Sequence, residues 1–413
     1  MKIAILGTRG VPPNYGGFET MAAELSARLI ARGHEMWVYC REIESAVGSR
    51  QSAVEPGGLT ADRRPPTADS SWNGIHRIVL PTMGHKYFET VSHSFLSAMD
   101  ALRRDFDAVL ICNAANAFVL PLLRAARIPV AINVDGIERK RRKWNVLGRM
   151  VYAIGEAFSV SFANAVVADA EVIADYYRKQ YSIEPAIIPY GAEFPVEEDS
   201  DVLERLGLRA GEYLLYVSRF EPENNPLETV EAYERTLNTE HGTRNENQDD
   251  RSVFRVQRSV FASPPLVMLG KGLYAPDLVA ELHRHASDRV LFPGALYGRD
   301  YRTLQRNALL YIQATEVGGT HPALIEAMAS GGCVLAHDTP ENREVGGDTV
   351  GYFRLRPTES LSGTIQEWVS NPLMRQDFRV RARKRTEEKF SWDRVTDDYE
   401  KLFESIGRHG RLR

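Results

Sequence analysis

The sequence predicts an α/β protein with two doubly wound, Rossmann-like parallel-sheet domains that face each other across a cleft. Short apolar segments alternate with amphipathic helical segments, which is typical of parallel sheets covered by helices on both faces. The same alternation restarts after Glu193, and a chain of 413 residues is too long for one hydrophobic core. Ligands of such open sheets bind at the carboxyl ends of the strands, so the cleft is where we expect the chemistry.

The first domain contains seven predicted strands, and a helix lies between the first two. Met21, Leu25 and Leu29 recur at the spacing of one helix face, and Gly33 is a natural stop. The predicted strands are Lys2–Gly7, Glu35–Cys40, Ile78–Pro81, Ala108–Asn113, Val130–Val134, Ala165–Asp169 and Ala186–Pro189.

The second domain contains six predicted strands, and the polar residues 197–200 mark the linker before it. Residues 45–71 and 238–251 are rich in polar or turn-forming residues, so we predict them to be surface insertions without a core of their own. The predicted domains are therefore 1–196 and 197–389. The predicted strands of the second domain are Tyr213–Ser218, Leu266–Gly270, Val290–Pro293, Leu309–Ala314, Cys333–His337 and Val350–Leu355.

Composition restricts the class of protein. A net charge of −4 argues against a nucleic-acid-binding polycation, and an apolar content of 43% is that of a soluble globular chain. Cys40, Cys112 and Cys333 lack the spacing of metal ligands, which predicts a reducing compartment. The apolar start is too short for a signal peptide, and no segment reaches the ~18 apolar residues of a membrane span. We therefore predict a cytoplasmic protein whose membrane contact, if any, is peripheral.

The most informative motif is Glu-Val-Gly-Gly-Thr-His-Pro-Ala-Leu-Ile-Glu, from Glu316 to Glu326. It follows a predicted strand and enters a helix near Pro322. Glycines let a backbone approach a ligand closely, and the amides at a helix N-terminus attract anions. The segment either holds a phosphorylated ligand, with Glu326 accepting from its hydroxyl groups, or is a plain strand–turn–helix connection.

The loop after the first strand places Gly16 and Gly17 at the start of the first helix. It lacks the Gly-x-Gly-x-x-Gly spacing of dinucleotide-binding loops and the Gly-Lys-Ser/Thr of the Walker loop in nucleoside triphosphatases. The amides of these glycines either point at a ligand in the cleft or belong to a tight turn.

Two further candidates follow strands of the second domain. Arg219 can hold a phosphate through two hydrogen bonds, or it forms a surface ion pair with Glu221 or Glu223. Gly270 and Lys271 follow the next strand, and they either line a pocket for a nucleotide base or form a simple turn.

A fourth motif begins at Asp135, which ends a strand and can therefore reach the cleft. The run from Arg139 to Lys143 carries five consecutive positive charges. Such a run is usually a solvated face, although it can also hold an anionic acceptor or lie on anionic lipid.

Together these motifs resemble the retaining GT-B glycosyltransferases of family 4, and more closely their rhamnosyltransferase-like branch in bacterial surface-polysaccharide synthesis. The resemblance spans nearly the whole chain outside the two insertions. Residues 390–395, Phe-Ser-Trp-Asp-Arg-Val, are similar to the family's closing helix, so residues 390–413 are expected to cross back to the first domain. The segments that carry the resemblance are 7–20, 133–138, 219–225 and 316–328.

The resemblance implies a hexosyltransferase that moves rhamnose or another hexose from a nucleotide-diphosphate donor to a glycan or lipid-linked acceptor. It implies retention at the anomeric carbon and no metal or other cofactor. By position, Gly16 and Gly17 would approach the donor diphosphate, Arg219 would neutralise it and Glu326 would hold the ribose. Asp135 would meet the donor sugar or the acceptor.

The sequence departs from the family pattern at two places. The usual signature has two glutamates with seven residues between them, and counting back from Glu326 places Gly318 at the first position. The nearest upstream carboxylate is Glu316. The usual lysine after the phosphate-loop arginine is also absent, and Asn224 lies in its neighbourhood.

Because of these departures, few side chains and amides remain that could stabilise the nucleoside diphosphate as it leaves the sugar. Arg219 and the amides of Gly318, Gly319 and Thr320 are the main candidates, and His321 at the helix start is a further one, with capping or packing as its alternative role. The predicted catalytic residues are Asp135, Glu316 and His321.

Two other classes of protein stay open. One is a non-catalytic nucleotide-sugar-binding partner, because the first glutamate of the family signature is missing. The other is an NAD-dependent dehydrogenase, against which the absence of the dinucleotide-binding Gly-x-Gly-x-x-Gly spacing argues.

Overall fold

The computed structural model of the chain contains two β-sheets, one in each half of the sequence. It describes residues 1–13, 16–42, 68–82, 88–140, 145–194, 200–245, 264–272, 275–356 and 359–410. Helices connect successive parallel strands in both halves, so the prediction of two α/β domains is confirmed.

The first sheet has eight strands in the order β3-β4-β2-β1-β5-β6-β7-β8. All seven predicted strands are present, with small shifts at their ends. The edge strand β3 is antiparallel to β4 and was not predicted, because its sequence Ala-Asp-Ser-Ser-Trp has no apolar alternation. The strands are β1 (Lys2–Leu6), β2 (Glu35–Arg41), β3 (Ala68–Trp72), β4 (Ile75–Leu80), β5 (Ala108–Cys112), β6 (Val130–Asn133), β7 (Ala165–Ala168) and β8 (Ala186–Ile187).

The second sheet has six parallel strands in the order β11-β10-β9-β12-β13-β14. All six correspond to predicted strands. Because β9 and β12 are neighbours, the loops that follow them meet at one edge of the sheet. The strands are β9 (Leu214–Val217), β10 (Leu266–Leu269), β11 (Val290–Gly294), β12 (Leu310–Gln313), β13 (Val334–His337) and β14 (Gly351–Phe353).

Fourteen helices are described, and three short 3₁₀ helices, Ala114–Val119, Glu138–Lys140 and Pro222–Asn224, lie in loops. The helices are α1 (Gly17–Ala31), α2 (Phe88–Ala101), α3 (Leu120–Ala125), α4 (Val146–Phe162), α5 (Glu171–Tyr181), α6 (Val202–Arg205), α7 (Pro226–Asn245), α8 (Pro276–His283), α9 (Gly298–Asn307), α10 (Pro322–Ala329), α11 (Pro340–Gly346), α12 (Glu359–Val369), α13 (Pro372–Lys389) and α14 (Trp392–Gly410).

Helix α1 buries the apolar face that its sequence predicts. Met21, Leu25 and Leu29 are buried on one face, and Gly33 adopts the left-handed backbone that ends the segment. This helix fixes the position of Gly16 and Gly17, which lie at its N-terminus.

The two predicted insertions are only partly described, and one prediction needs correction. Helix α7 extends to Asn245, so residues 238–245 are helical rather than part of a loop. Their polar composition gives no sign that the helix before them continues. Residues 68–71 belong to β3, whose backbone pairing with β4 needs no apolar side chains. The remaining residues of both insertions lie outside the described ranges, as do residues 141–144 of the basic segment.

The C-terminal helix α14 packs against α1, β5 and β6 of the first sheet. The side-chain amide of Asn133 donates to the hydroxyl of Tyr399 at 2.9 Å, and both residues are buried. A second connection pairs Ala192 with Ser391, beside Trp392. The two halves are therefore joined near residues 190–194 and 390–392. None of the helices in the described ranges is both long and apolar enough to cross a bilayer.

Candidate active site

The carboxyl end of β7 contacts the loop that follows β12 in the other half of the chain. The backbone N–H and the hydroxyl of Thr320 donate to Oδ2 of Asp169 at 3.0 and 3.3 Å. Asp169 is only 1% exposed, so this hydrogen-bonded pair is a buried link between the two domains. It places the predicted loop 318–320 directly against the first sheet.

Two glycines permit this approach. A Cβ on Gly319 would overlap both carboxylate oxygens of Asp169, and a Cβ on Gly136 would lie 2.8 Å from the carbonyl carbon of Gly318. Neither backbone adopts a left-handed conformation. The requirement for glycine at these positions is therefore one of space.

The same loop region brings two helix N-termini together. Gly17 is the first residue of α1 and Pro322 the first of α10, and a Cβ on Gly17 would lie 3.0 Å from Cγ of Pro322. Gly16 caps α1 with an extended backbone. Because the N-terminus of a helix carries partial positive charge, the two helices create a site that favours an anion.

His321 lies at the N-cap of α10, but its side chain makes no capping hydrogen bond. Its ring covers Gly318, where a Cβ would come within 2.5 Å of Cε1. The imidazole therefore packs beside Gly318, which fits the packing alternative as well as the predicted donor role, and its side chain does not cap the helix.

The loop after β9 is tied to the loop after β12. The backbone N–H of Glu316 donates to the carbonyl of Glu223 at 2.9 Å, and the side chain of Asn225 donates to the carbonyl of Ala314 at 2.8 Å. The buried amide of Asn224 donates to the carbonyl of Arg219 at 2.7 Å. Arg219, Asn224 and Glu316 are thus brought together, and Asn224 orders the loop that carries the arginine.

Gly270 and Lys271 lie against this same loop. The backbone N–H of Phe220 donates to the carbonyl of Lys271 at 3.2 Å, and a Cβ on Gly270 would overlap the carbonyl of Ser218. Gly270 is also in the left-handed half of backbone space. The glycine is needed for close packing, and the exposed Lys271 side chain borders the cleft edge of the sheet.

The charge of Asp135 acts on the buried carboxyl of Asp169. Burial raises the pKa of Asp169 well above its usual range, the charge of Asp135 raises it further, and the hydrogen bonds from Thr320 oppose both effects. Asp135 is half-buried and has a positive φ of 60°. Asp169 is not among the residues predicted from the sequence, although its position at the end of a predicted apolar strand is the signal that could have identified it.

A second carboxylate joins the two halves beside Asp169. Glu344 of α11 accepts from the backbone N–H groups of Glu171 and Val172, at 2.5 and 3.1 Å, and so caps the N-terminus of α5. This contact was also not predicted, because it depends on a helix of the other domain.

Glu326 points toward α9. The hydroxyl of Tyr301 donates to its Oε2 at 2.6 Å, and the side chain of Gln305 donates to that hydroxyl at 2.7 Å. Burial raises the pKa of Glu326 to about 7, and the charges of Glu193 and Glu24 add to this, while the bond from Tyr301 lowers it. Glu193 also lines a cavity of about 380 Å³ between the two halves.

The raised pKa of Glu326 predicts a pH-dependent stability. The native state binds more protons than the unfolded chain between about pH 4.5 and 7, so the wild type loses stability as pH rises through this window. Glu326→Gln mimics the protonated acid, and we expect its unfolding free energy relative to wild type to improve by about 2–3 kcal/mol from pH 5 to pH 8. Urea unfolding at both pH values measures this, with the exposed Glu367→Gln as control. An equal difference at both pH values would show that Glu326 is ionised throughout.

Solved structures show the same fold at low sequence identity. The sucrose-phosphate synthase of Thermosynechococcus elongatus superposes with a TM-score of 0.72 at 16% identity, over 98% of both chains. HepE of Anabaena, in complex with UDP and glucose, gives 0.71 at 15% identity over 98% of this chain and 100% of its own. The UDP-forming α,α-trehalose-phosphate synthase of Burkholderia xenovorans, with glucose-6-phosphate, gives 0.69 at 11% identity over 98% and 100%.

Two sequence families match the two halves of the chain. Residues 15–193 match the family described as Glycosyltransferase Family 4, and residues 206–385 match the one described as Glycosyl transferases group 1. The chain is a GT-B glycosyltransferase. A search of curated proteins finds no match. The family matches favour this glycosyltransferase over the dehydrogenase alternative, and they leave its sugar, its stereochemistry and its acceptor as predictions.

Proposed function

We propose that this glycosyltransferase moves a hexosyl group, with rhamnose as the first candidate, from a nucleotide-diphosphate donor to a glycan or lipid-linked acceptor in surface-polysaccharide synthesis. One observation carries the proposal: the N-termini of α1 and α10 converge from the two halves, at Gly17 and Pro322. A diphosphate at this point would interact favourably with both helix ends. The resemblance to family 4 supports transfer with retention, and a cytoplasmic donor pool fits the same role.

In this proposal the leaving group is a nucleoside diphosphate, whose developing negative charge must be stabilised. Arg219 and the amides of Gly318, Gly319 and Thr320 supply that stabilisation, because these groups are preorganised by the contacts between the β9 and β12 loops. His321 adds a donor at the helix start. We propose that these groups make a protein-bound metal unnecessary for charge stabilisation.

The sugar and the acceptor would lie on the side of the first domain. Asp135 is placed beside the 318–320 loop through Gly136, and Glu316 is the carboxylate that precedes that loop. We propose that these two side chains hold sugar or acceptor hydroxyl groups. Glu326 would hold the ribose, which requires its bond to Tyr301 to be exchanged for a bond to the nucleoside.

Nucleotide binding and turnover test this function separately. Thermal unfolding with UDP, GDP, dTDP and ADP should show stabilisation by one base, since a ligand at 100 times its dissociation constant adds about 2.7 kcal/mol. With the matching sugar donors, release of the nucleoside diphosphate should rise when a lipid-linked glycan is added. Stabilisation by a nucleotide without any release from its sugars would instead identify a non-catalytic binding protein. No stabilisation by any of the four would contradict the proposed donor site.

A further inference from the structure

Two buried side chains join the C-terminal helix α14 to the candidate active site. The amide of Asn133, at the end of β6, donates to the hydroxyl of Tyr399 and accepts from the backbone N–H of Asp135. Tyr399 and Asn133 are each only 1% exposed, so water does not compete for these hydrogen bonds. These two side chains, which we call the buried bridge, therefore connect a predicted catalytic residue to the last helix of the sequence.

The backbone of Asp135 fixes the orientation of the Asn133 amide. A backbone N–H can only donate, and that of Asp135 lies 2.9 Å from the side-chain oxygen of Asn133. The NH₂ group must then face the Tyr399 hydroxyl, which accepts at 2.9 Å. Turning the amide over would place its NH₂ group against the N–H of Asp135, so the bridge has one arrangement.

Asp135 depends on such support because of its backbone conformation. Its φ of 60° lies in the left-handed region, which is unfavourable for a residue with a Cβ, although aspartate tolerates it better than most. Residues in this region keep their conformation only when the surrounding structure holds them, and they are concentrated at functional sites. The hydrogen bond from its N–H to Asn133 is one of the contacts that hold Asp135.

The same stretch of backbone lies directly against the other domain. At Gly136, the next residue, a Cβ would lie 2.8 Å from the carbonyl carbon of Gly318, and the charge of Asp135 acts on the buried carboxyl of Asp169. A change in the backbone angles of Asp135 would therefore move its carboxylate relative to closely packed neighbours.

Tyr399 is held in place by the packing of its helix. Its ring stacks on that of Phe403, with 5.8 Å between the ring centroids, and both rings are buried. Helix α14 packs against α1, β5 and β6 of the first sheet. The position of the hydroxyl is thus set by a packed helix and not by a loop.

We propose that Tyr399 is a positioning residue for glycosyl transfer. Its hydroxyl orients Asn133, which holds the backbone of Asp135 and so directs the Asp135 carboxylate. The inference rests on the proposed function, in which this carboxylate holds a hydroxyl group of the sugar or the acceptor. The alternative is a bridge that only ties α14 to the first sheet, and it predicts a loss of stability without a specific loss of turnover.

Tyr399→Phe removes the hydroxyl and keeps the ring. We expect kcat for nucleoside diphosphate release to fall about tenfold, because a displaced catalytic group reacts more slowly. The donor KM and the thermal stabilisation by the nucleotide should stay as in wild type, since the bridge acts on Asp135. Tyr213→Phe is the matched control: this buried tyrosine of the second domain donates to the carbonyl of Leu304 at 2.6 Å. It should lose comparable stability and keep its kcat.

Asn133→Ala reaches the bridge from its other end and keeps the test valid if Tyr399→Phe does not fold. Because both side chains act through one route, the double variant should have a kcat no lower than that of Asn133→Ala alone. A wild-type kcat in either folded single variant, or losses that multiply in the double variant, would overturn the inference. A wild-type protein without turnover would instead overturn the proposed function, and this inference with it.

Discussion

Replacing Arg219 by alanine is expected to lower kcat/KM by about 10²–10³-fold while the protein stays folded. The side chain follows β9 at the edge of the sheet, is 40% exposed, and lies 3.9 Å from Glu221. Only the arginine of this pair is solvent-exposed, because the side chain of Glu221 is 4% exposed. Removing the arginine therefore takes a charge partner from a buried carboxylate, and any loss of fold stability is measured beside the loss of turnover. Removing one preorganised contact to a developing oxyanion costs about 3–4 kcal/mol in the transition state.

The measurement is nucleoside diphosphate release under subsaturating donor, with thermal unfolding as a check on the fold. Arg209→Ala is the matched control: its side chain is 83% exposed in the same domain and lies 3.9 Å from Glu212. Arg219→Lys keeps the charge but loses the planar fork, so we expect an intermediate rate. Wild-type turnover by a folded Arg219→Ala would remove this residue from the donor site.

The parts of the fold that depend on local pattern were predictable from the sequence. Apolar runs identify thirteen of the fourteen strands, because a buried parallel strand needs apolar residues on both faces. Strand β3 is an antiparallel edge strand with polar side chains, so backbone pairing with β4 forms it without any pattern to detect. The polar end of α7 was missed for a related reason, since helix continuation requires no apolar residue.

Residues of the candidate site could be selected from the sequence only where the selection depends on residue type at the end of a strand, and their roles stay predictions. The glycines of the 318–320 loop and Arg219 have chemistry that indicates a phosphate, so their position after a strand is enough to select them. Asp169 and Glu344 each contact the other domain, and the spacing of residues along the chain does not predict a contact between domains. The direction in which the side chain of Glu326 points could not be predicted either, because it depends on a hydrogen bond from Tyr301 on the preceding helix.

Gly319→Ala is expected to lower both the stability and the turnover of the protein. Its Cβ would overlap both carboxylate oxygens of Asp169, and that carboxyl is buried between the domains. Overpacking of a closed interior typically costs about 1–3 kcal/mol. Separating the two halves would relieve the overlap, but it would break both hydrogen bonds from Thr320 to Asp169. It would also move the loop amides away from the proposed donor site. We therefore expect a lower melting temperature together with a loss of turnover of about 10²-fold or more.

The steric cause can be isolated with two further variants. Gly363→Ala lies within α12 with nothing near its Cβ, so it should be neutral or slightly stabilising, as is usual for glycine in a helix. Asp169→Ala in the Gly319→Ala background removes the atoms that the new methyl group meets. It should recover melting temperature relative to Gly319→Ala, whereas turnover should stay low because the hydrogen bonds to Thr320 are absent. A Gly319→Ala protein that melts and turns over like wild type would mean that the two domains do not make this contact during the catalytic cycle.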